Sequence, residues 1–320
     1  MRTLTSLAAA TVALCLLAPE FGWSQGGRNI KLLVPASPGA STDFVARLSA
    51  DHISRTQSVT AVVENRPGAN GMIGVGEVAR SAPDGNTLLV TANTYLLDDL
   101  LRKPSYHPVT SFEPICHLVQ TPAVLAVHAE SPYRTLADFI NAAREKPGAL
   151  SLAAVGPGST FQLGLIDLMG RAKINVTFVP YPGSAPAVTA LVGQHVTSVI
   201  SGYAVVAEHI KAGKLRALAA ATAKRIAPAP DVPTFDELGF KGLEIENSFG
   251  VVAPVKTPKD VIAQFTSWFT AAIQAPDSQA KLAAQYLYTG GPCGDTYAAQ
   301  IRKSHDAYEK LIKEAGIKVQ

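Results

Sequence analysis

The chain has 320 residues, 47% hydrophobic and 17% charged, with a formal net charge of +3 at pH 7. That length and apolar content support one large core or two of ordinary domain size. The mild positive balance, with no stripe of clustered Lys and Arg interleaved with aromatics, excludes a typical nucleic-acid binder.

The chain opens on Arg2, an apolar stretch over 7–18, and small residues at Gly22 and Ser24. This pattern reads as a secretory signal peptide over 1–24, with an exported soluble protein beginning at Gln25. The apolar stretch ends at Pro19 and Glu20, short of the about 20 residues that a spanning helix needs. An uncleaved signal anchor is the alternative. Leu14 precedes Cys15 where a lipoprotein would carry a small residue. Losing the leader removes Arg2 and Glu20 together, so the net charge stays at +3. Cys116 and Cys293 remain, as one disulfide or as two small hydrophobes, and spacing alone does not choose.

From Lys31 an apolar run reads as a strand, followed by a Pro- and Gly-containing turn and a helix over 42–54, with Phe44, Val45, Leu48 and His52 or Ile53 at helical spacing. A strand over 59–63 leads into a glycine-rich loop, a short helix, the Pro83-Asp84-Gly85 turn and a buried strand over 87–92. Such alternation argues for a mostly parallel sheet covered on both faces. Two proline-flanked apolar runs, 112–118 and 123–127, precede a helix over 136–145 with Thr135 as its N-cap. A second unit then has strands over 150–154, 175–179, 196–200, 216–220 and 244–252, with helices after Thr160 and over 185–193 and 204–212. The rest is helical, over 259–275, 278–287 and 296–315. The resulting division is a first α/β domain of 25–127 plus 253–320 and a second of 128–252. Two strands would cross between them as a hinge that closes on a ligand.

Twice, over 31–47 and 150–169, an apolar run breaks into a Gly/Pro turn and opens a helix. Each places unpaired N–H groups and a positive dipole end at the C-terminal end of a strand, where an anion can sit. The first turn offers Ser37, Gly39, Ser41, Thr42 and Asp43, with Ser41 or Thr42 as N-cap; for Asp43 helix capping alone is the competing view. The second offers Gly158, Ser159 and Thr160. A loop from Asn65 to Gly71 ends another strand, and Arg66 within it either neutralises a ligand or braces the loop. Tyr181 and Gly183 end a further strand, with core packing of Tyr181 as the competing view. The letters of GVGEVA, 74–79, fit a dinucleotide fingerprint but fall inside a helix, so NAD and other cofactors are not expected. The seven histidines lack compact ligand spacing, so no metal is expected. Ser159 lies outside any GxSxG elbow; an exported hydrolase using it with distant partners is the enzyme alternative.

The segments LLVPASPGASTDFVAR, VVENRPGANGMIGVGEVARSAPDGNTLLV, SFEPI, LSLAAVGPGS, VPYPGSAPAVTALVGQHV, IKAGKLRALA, PDVPTFDELGF and IKEAGIK, kept in order, resemble the substrate-binding proteins of tripartite tricarboxylate transporters, the Bug-type or TctC-like receptors. The resemblance implies a type II periplasmic binding-protein fold, two α/β domains around a cleft joined by a two-strand hinge. It further implies a carboxylate held by main-chain and hydroxyl donors of the two turns, with 65–71 and 181–183 as walls. Function then follows as a monomeric, non-enzymatic periplasmic receptor that hands a small organic acid to membrane permease subunits, or alternatively reports it to a sensor kinase. Three departures from the family pattern stand out: Ala40 for a second glycine, Gln162 for a frequent His, and Thr197-Ser198 for a frequent Val-Asp. The first costs backbone freedom, and the others bear on selectivity.

Overall fold

The computed structural model describes residues 28–156, 158–289 and 291–317. The leader and its cleavage site lie outside the described residues. Among the described residues no helix is long and apolar enough to cross a membrane.

Leu32 and Leu33, adjacent in β1 (Arg28–Val34), are both fully buried and belong to different clusters, because successive strand side chains point to opposite faces. β1 lies parallel between β2 (Val59–Asn65) and β3 (Thr87–Ala92). On one face α1 (Ser41–Thr56) and α8 (Lys259–Gln274) bury Val45, Phe265 and Phe269 with Leu32. On the other, α2 (Met72–Ala79) buries Val75 and Val78 with Leu33. Gly74 of α2 is a packing residue, since a Cβ there would meet Arg66 O at 2.8 Å and Leu33 Cδ2 at 2.9 Å. The fingerprint letters therefore mark a helix pressed onto β1.

A second group of strands repeats the scheme. β5 (Ser151–Val155) pairs in parallel with β6 (Thr177–Tyr181) and β7 (Ser198–Gly202). Helices α4 (Leu136–Glu145) and α5 (Thr160–Ala172) cover one face with Phe139 and Leu168. α6 (Ser184–Val192) and α7 (Tyr203–Lys211) cover the other with Leu191 and Tyr203. The N-cap Thr135 has the full capping box with Asp138.

Both groups meet on β4 (Phe112–His128), a 17-residue strand nearly all buried. It pairs antiparallel with β9 (Glu246–Pro254) over Phe112 to Pro122, then with β7 and β8 (Leu215–Ala220) over its second half. The two-run expectation is thus corrected to one continuous strand. Register shifts at Pro114/Cys116 and His117/Val119 absorb the irregularity that the prolines announced. The whole order is β2-β1-β3-β9-β4-β7-β5-β6, with β8 and a short β10 (Tyr288–Thr289) also on β4. Pairing is parallel within each group and antiparallel wherever β4 and β9 take part. Cys116 and Cys293 are joined by a disulfide that ties β4 to the N-cap of α10 (Gly294–Glu314), across 177 positions of sequence. α9 (Pro276–Ala284) links α8 to β10.

Candidate functional site

Both turns carry a left-handed glycine immediately before the helix N-cap, Gly39 at φ 84° and Gly158 at φ 80°. Each is braced in the same way, by the side chain three positions beyond the N-cap. Asp43 Oδ2 accepts the Gly39 N–H at 2.9 Å, and Gln162 Oε1 accepts the Gly158 N–H at 2.9 Å. These two N–H groups, offered above to a ligand, are already used. What remains open at each helix end are the N–H groups of the first helical residues, Ser41 and Thr42 or Thr160 and Phe161.

The N-cap of α1 is Ala40, without a side-chain cap bond, rather than Ser41 or Thr42. Its φ of −67° and ψ of 158° are ordinary extended backbone, so alanine there costs no backbone freedom. Asp43 is buried and takes over the bracing, accepting also from Arg47 Nε at 2.9 Å and Asn65 Nδ2 at 2.9 Å. Burial pushes its carboxyl up, but Arg47, the Gly39 N–H and Asn65 together hold it below the usual value. Asn65 Nδ2 also reaches Ala36 O at 3.0 Å, and a Cβ on the left-handed Gly71 would meet Pro35 O at 3.2 Å. Asp43, Asn65 and Gly71 thus lock the third loop against the first turn. Arg66 pairs with Glu64 and Glu77, the loop-bracing alternative.

Asp43→Ala removes the acceptor for Gly39 and Asn65, and is expected to cost about 1–3 kcal/mol at neutral pH. Because the folded-state value is depressed, this contribution is present above the reference value of 3.8 and is lost as pH falls through the lower folded value. Urea denaturation across a pH series should give wild-type and variant stabilities that converge in acid. A constant difference would assign the loss to something other than the carboxylate.

At the second turn, Ser159 caps α5, its Oγ accepting from Gln162 N at 3.1 Å and donating to Val155 O at 2.8 Å. Gly158, Ser159 and Tyr181 line a cavity of about 470 Å³ together with Asn70, Thr94, Asp98 and Arg102 from the first group of strands. Arg102 was missed in the sequence. It follows α3 (Asp98–Leu101), a four-residue helix, and a Cβ on Gly158 would lie 2.9 Å from its Nη2. Its Nη1 is 3.5 Å from Asp98 Oδ1, and the Tyr106 hydroxyl donates to Asp98 Oδ2. Burial pushes the Asp98 carboxyl up to about 6, against the opposing pull of the Tyr106 hydrogen bond and Arg102. Asp98 and Arg102, an acid and a base four apart in the sequence, were the signal available there.

Not all the nominated residues gather there. Thr160 faces a neighbouring cavity of about 290 Å³ and its buried Oγ1 has no partner. Gly39, Ser41 and Asp43 line a separate cavity of about 580 Å³ with Arg47 and Lys281. Ser37 is exposed, Thr42 is buried, and Gly183 is the extended N-cap of α6. Thr197 and Ser198 bond to Ser151 at the start of β5, the end of the strand away from the cavity at Val155.

A family model described as tripartite tricarboxylate transporter family receptor matches residues 45–317. A relative in Pseudomonas sp. strain P51, the UPF0065 protein of the tcbD-tcbE intergenic region, is 34% identical over 290 residues, covering 90% of this chain and 86% of its own. The solved structure of the periplasmic binding protein BugD matches with a TM-score of 0.74 at 31% identity, covering 92% of this chain and 99% of that one. R. palustris Rpa4515, solved with adipate, matches with a TM-score of 0.77 at 30% identity over 93% and 100% of the two chains. The architecture is that of a type II periplasmic binding protein.

Proposed function

Because the chain belongs to the tripartite tricarboxylate transporter receptor family, whose members bind their solutes without converting them, we propose that it is a periplasmic receptor for a small carboxylate-bearing solute, which it delivers to the permease subunits of a tripartite transporter. The observation that carries this is the cavity where the N-terminus of α5 and the Arg102 guanidinium face the same space from different groups of strands. A helix N-terminus and a guanidinium both stabilise a carboxylate, by charge and by hydrogen bonds. Related Rpa4515 was solved with adipate, a dicarboxylate.

On this proposal residues 25–127 plus 253–320 and residues 128–252 act as lobes that hinge where β4 and β9 cross. Gly158, Ser159 and Tyr181 belong to one wall of the cleft, Asn70 and Arg102 to the other. Ser37, Gly39, Ser41 and Gly183 stand outside this cavity, and Thr42 and Thr160, buried at the two helix ends, hold those ends in shape. Asp43, Asn65 and Gly71 keep the first turn in shape. On this reading Ser159 caps the helix that meets the solute, its hydroxyl donating to Val155 O at 2.8 Å.

Thermal-shift measurement of the mature protein against adipate, malate and a panel of organic acids, followed by calorimetry, tests the proposal. A solute at a hundredfold excess over its Kd is expected to stabilise the fold by about 2.7 kcal/mol. Absence of any stabilising acid at millimolar concentration would overturn it.

A further inference from the structure

Two neighbouring stretches of the chain and one distant in sequence bring one carboxylate and two imidazoles together. Asp99 is on α3, His107 is in the loop that follows, and His305 is in the middle of α10. One ligand atom from each lies within 4.8 Å of the other two. His305 Nε2 is 3.1 Å from both oxygens of Asp99, and His107 Nε2 is 3.5 Å from Oδ2. The two imidazole centroids are 5.4 Å apart. His305 is buried, Asp99 half-buried and His107 exposed, so the group has a fixed floor and an open side.

We propose that Asp99, His107 and His305 bind a divalent transition-metal ion of the zinc type. Two imidazole nitrogens and one carboxylate oxygen, with the open side left to water, form a donor set that suits Zn²⁺. The same set is poor for Ca²⁺ or Mg²⁺, which take oxygen ligands. A further carboxylate stands beside the cluster, Asp306, whose Oδ1 is 4.0 Å from His305 Nδ1. Asp98 and Glu309 are paired with Arg102 and Lys313 and add little to its field.

In the structure as it stands both imidazoles already turn Nε2 toward Asp99. Asp306 stands on the Nδ1 side of His305, where an outer-shell carboxylate orients a metal-bound imidazole. The Val109 N–H donates to His107 Nδ1 at 3.1 Å, which turns Nε2 toward Asp99. Metal binding through both Nε2 atoms places the ring protons on Nδ1, so His107 exchanges the Val109 contact for water on its exposed side. No covalent bond is made or broken, and the ion is the only added species. Since α3 presents Asp99 to α10 and Asp98 to the cleft cavity, the bound ion would fasten the helix that precedes Arg102.

The test is calorimetric titration of the untagged, chelator-treated protein with ZnCl₂, with native mass spectrometry for stoichiometry. One Zn²⁺ per chain is expected, with affinity lowered at least about 100-fold in His107→Ala and in His305→Gln. His209→Ala, on α7, should bind like wild type. Circular dichroism melts identify any variant that fails to fold, and the exposed His107 provides a variant free of that concern. Absence of saturable Zn²⁺ uptake, or one Zn²⁺ per chain retained by the His107→Ala/His305→Gln double variant, would overturn the proposal.

Discussion

Gly158→Val is expected to abolish solute capture while leaving the fold in place. Two costs arise at this position. The left-handed backbone at φ 80° disfavours any residue with a Cβ, by about 1–2 kcal/mol. The added atoms would also lie 2.9 Å from Arg102 Nη2 and 3.0 Å from Leu101 Cδ1, both from the first group of strands. A branched side chain there wedges the walls apart and displaces the cation that the solute needs. Affinity should fall by at least about 100-fold, equivalent to about 2.7 kcal/mol. Gly148→Val supplies the control: its φ of 78° imposes the same backbone cost, but a Cβ there meets nothing within 4 Å. Calorimetry with a solute found by thermal shift should show binding intact in the control and lost at position 158. Wild-type affinity in Gly158→Val would remove the second turn from the binding site.

The Cys116→Ala/Cys293→Ala double variant is expected to lose about 2–5 kcal/mol of stability and on the order of 10 °C in Tm. The bond closes a loop of 177 positions, so its loss frees more than half of the 320 residues in the unfolded state. It also fixes the start of α10 at the first bulge of β4, where His117 N donates to Pro292 O at 2.9 Å. Differential scanning calorimetry of the variant, and of wild type with and without a strong reductant, measures the effect. An unchanged Tm after complete reduction would show that the packing of β4 against α8 and α10 suffices.

Much of this architecture was legible because strand and helix periods alternate clearly and because Thr135 and Ser159 cap α4 and α5 with their side chains. Ser159 closes the turn that follows the apolar stretch over 152–155, and α5 begins at Thr160, where the hydroxyl cap places it. α1 was placed one residue late because Ala40 gives no capping signal and the bracing comes from Asp43 instead. β6 was placed two residues early because Pro180 reads as a breaker, although a strand at the end of a sheet tolerates proline. β10, with two residues, is too short for any periodicity. The same brevity hid α3 and Arg102, so the charged wall of the cavity went unread. Cys116 and Cys293 could not be paired from spacing, since their proximity depends on how α10 returns to β4. Asp99, His107 and His305 share no local motif for the same reason: 198 positions separate the last two, and only the packing of α10 against α3 unites them.

The matching braces of the two turns differ in one respect, since Gly39 is held by a carboxylate and Gly158 by a neutral amide. At the first helix end a resident negative charge already compensates the dipole, whereas the second is left electropositive and has Arg102 beside it. The two helix ends are therefore electrostatically unequal, and on the proposed function the charged group of a solute is better placed at Ser159 than at the turn before α1.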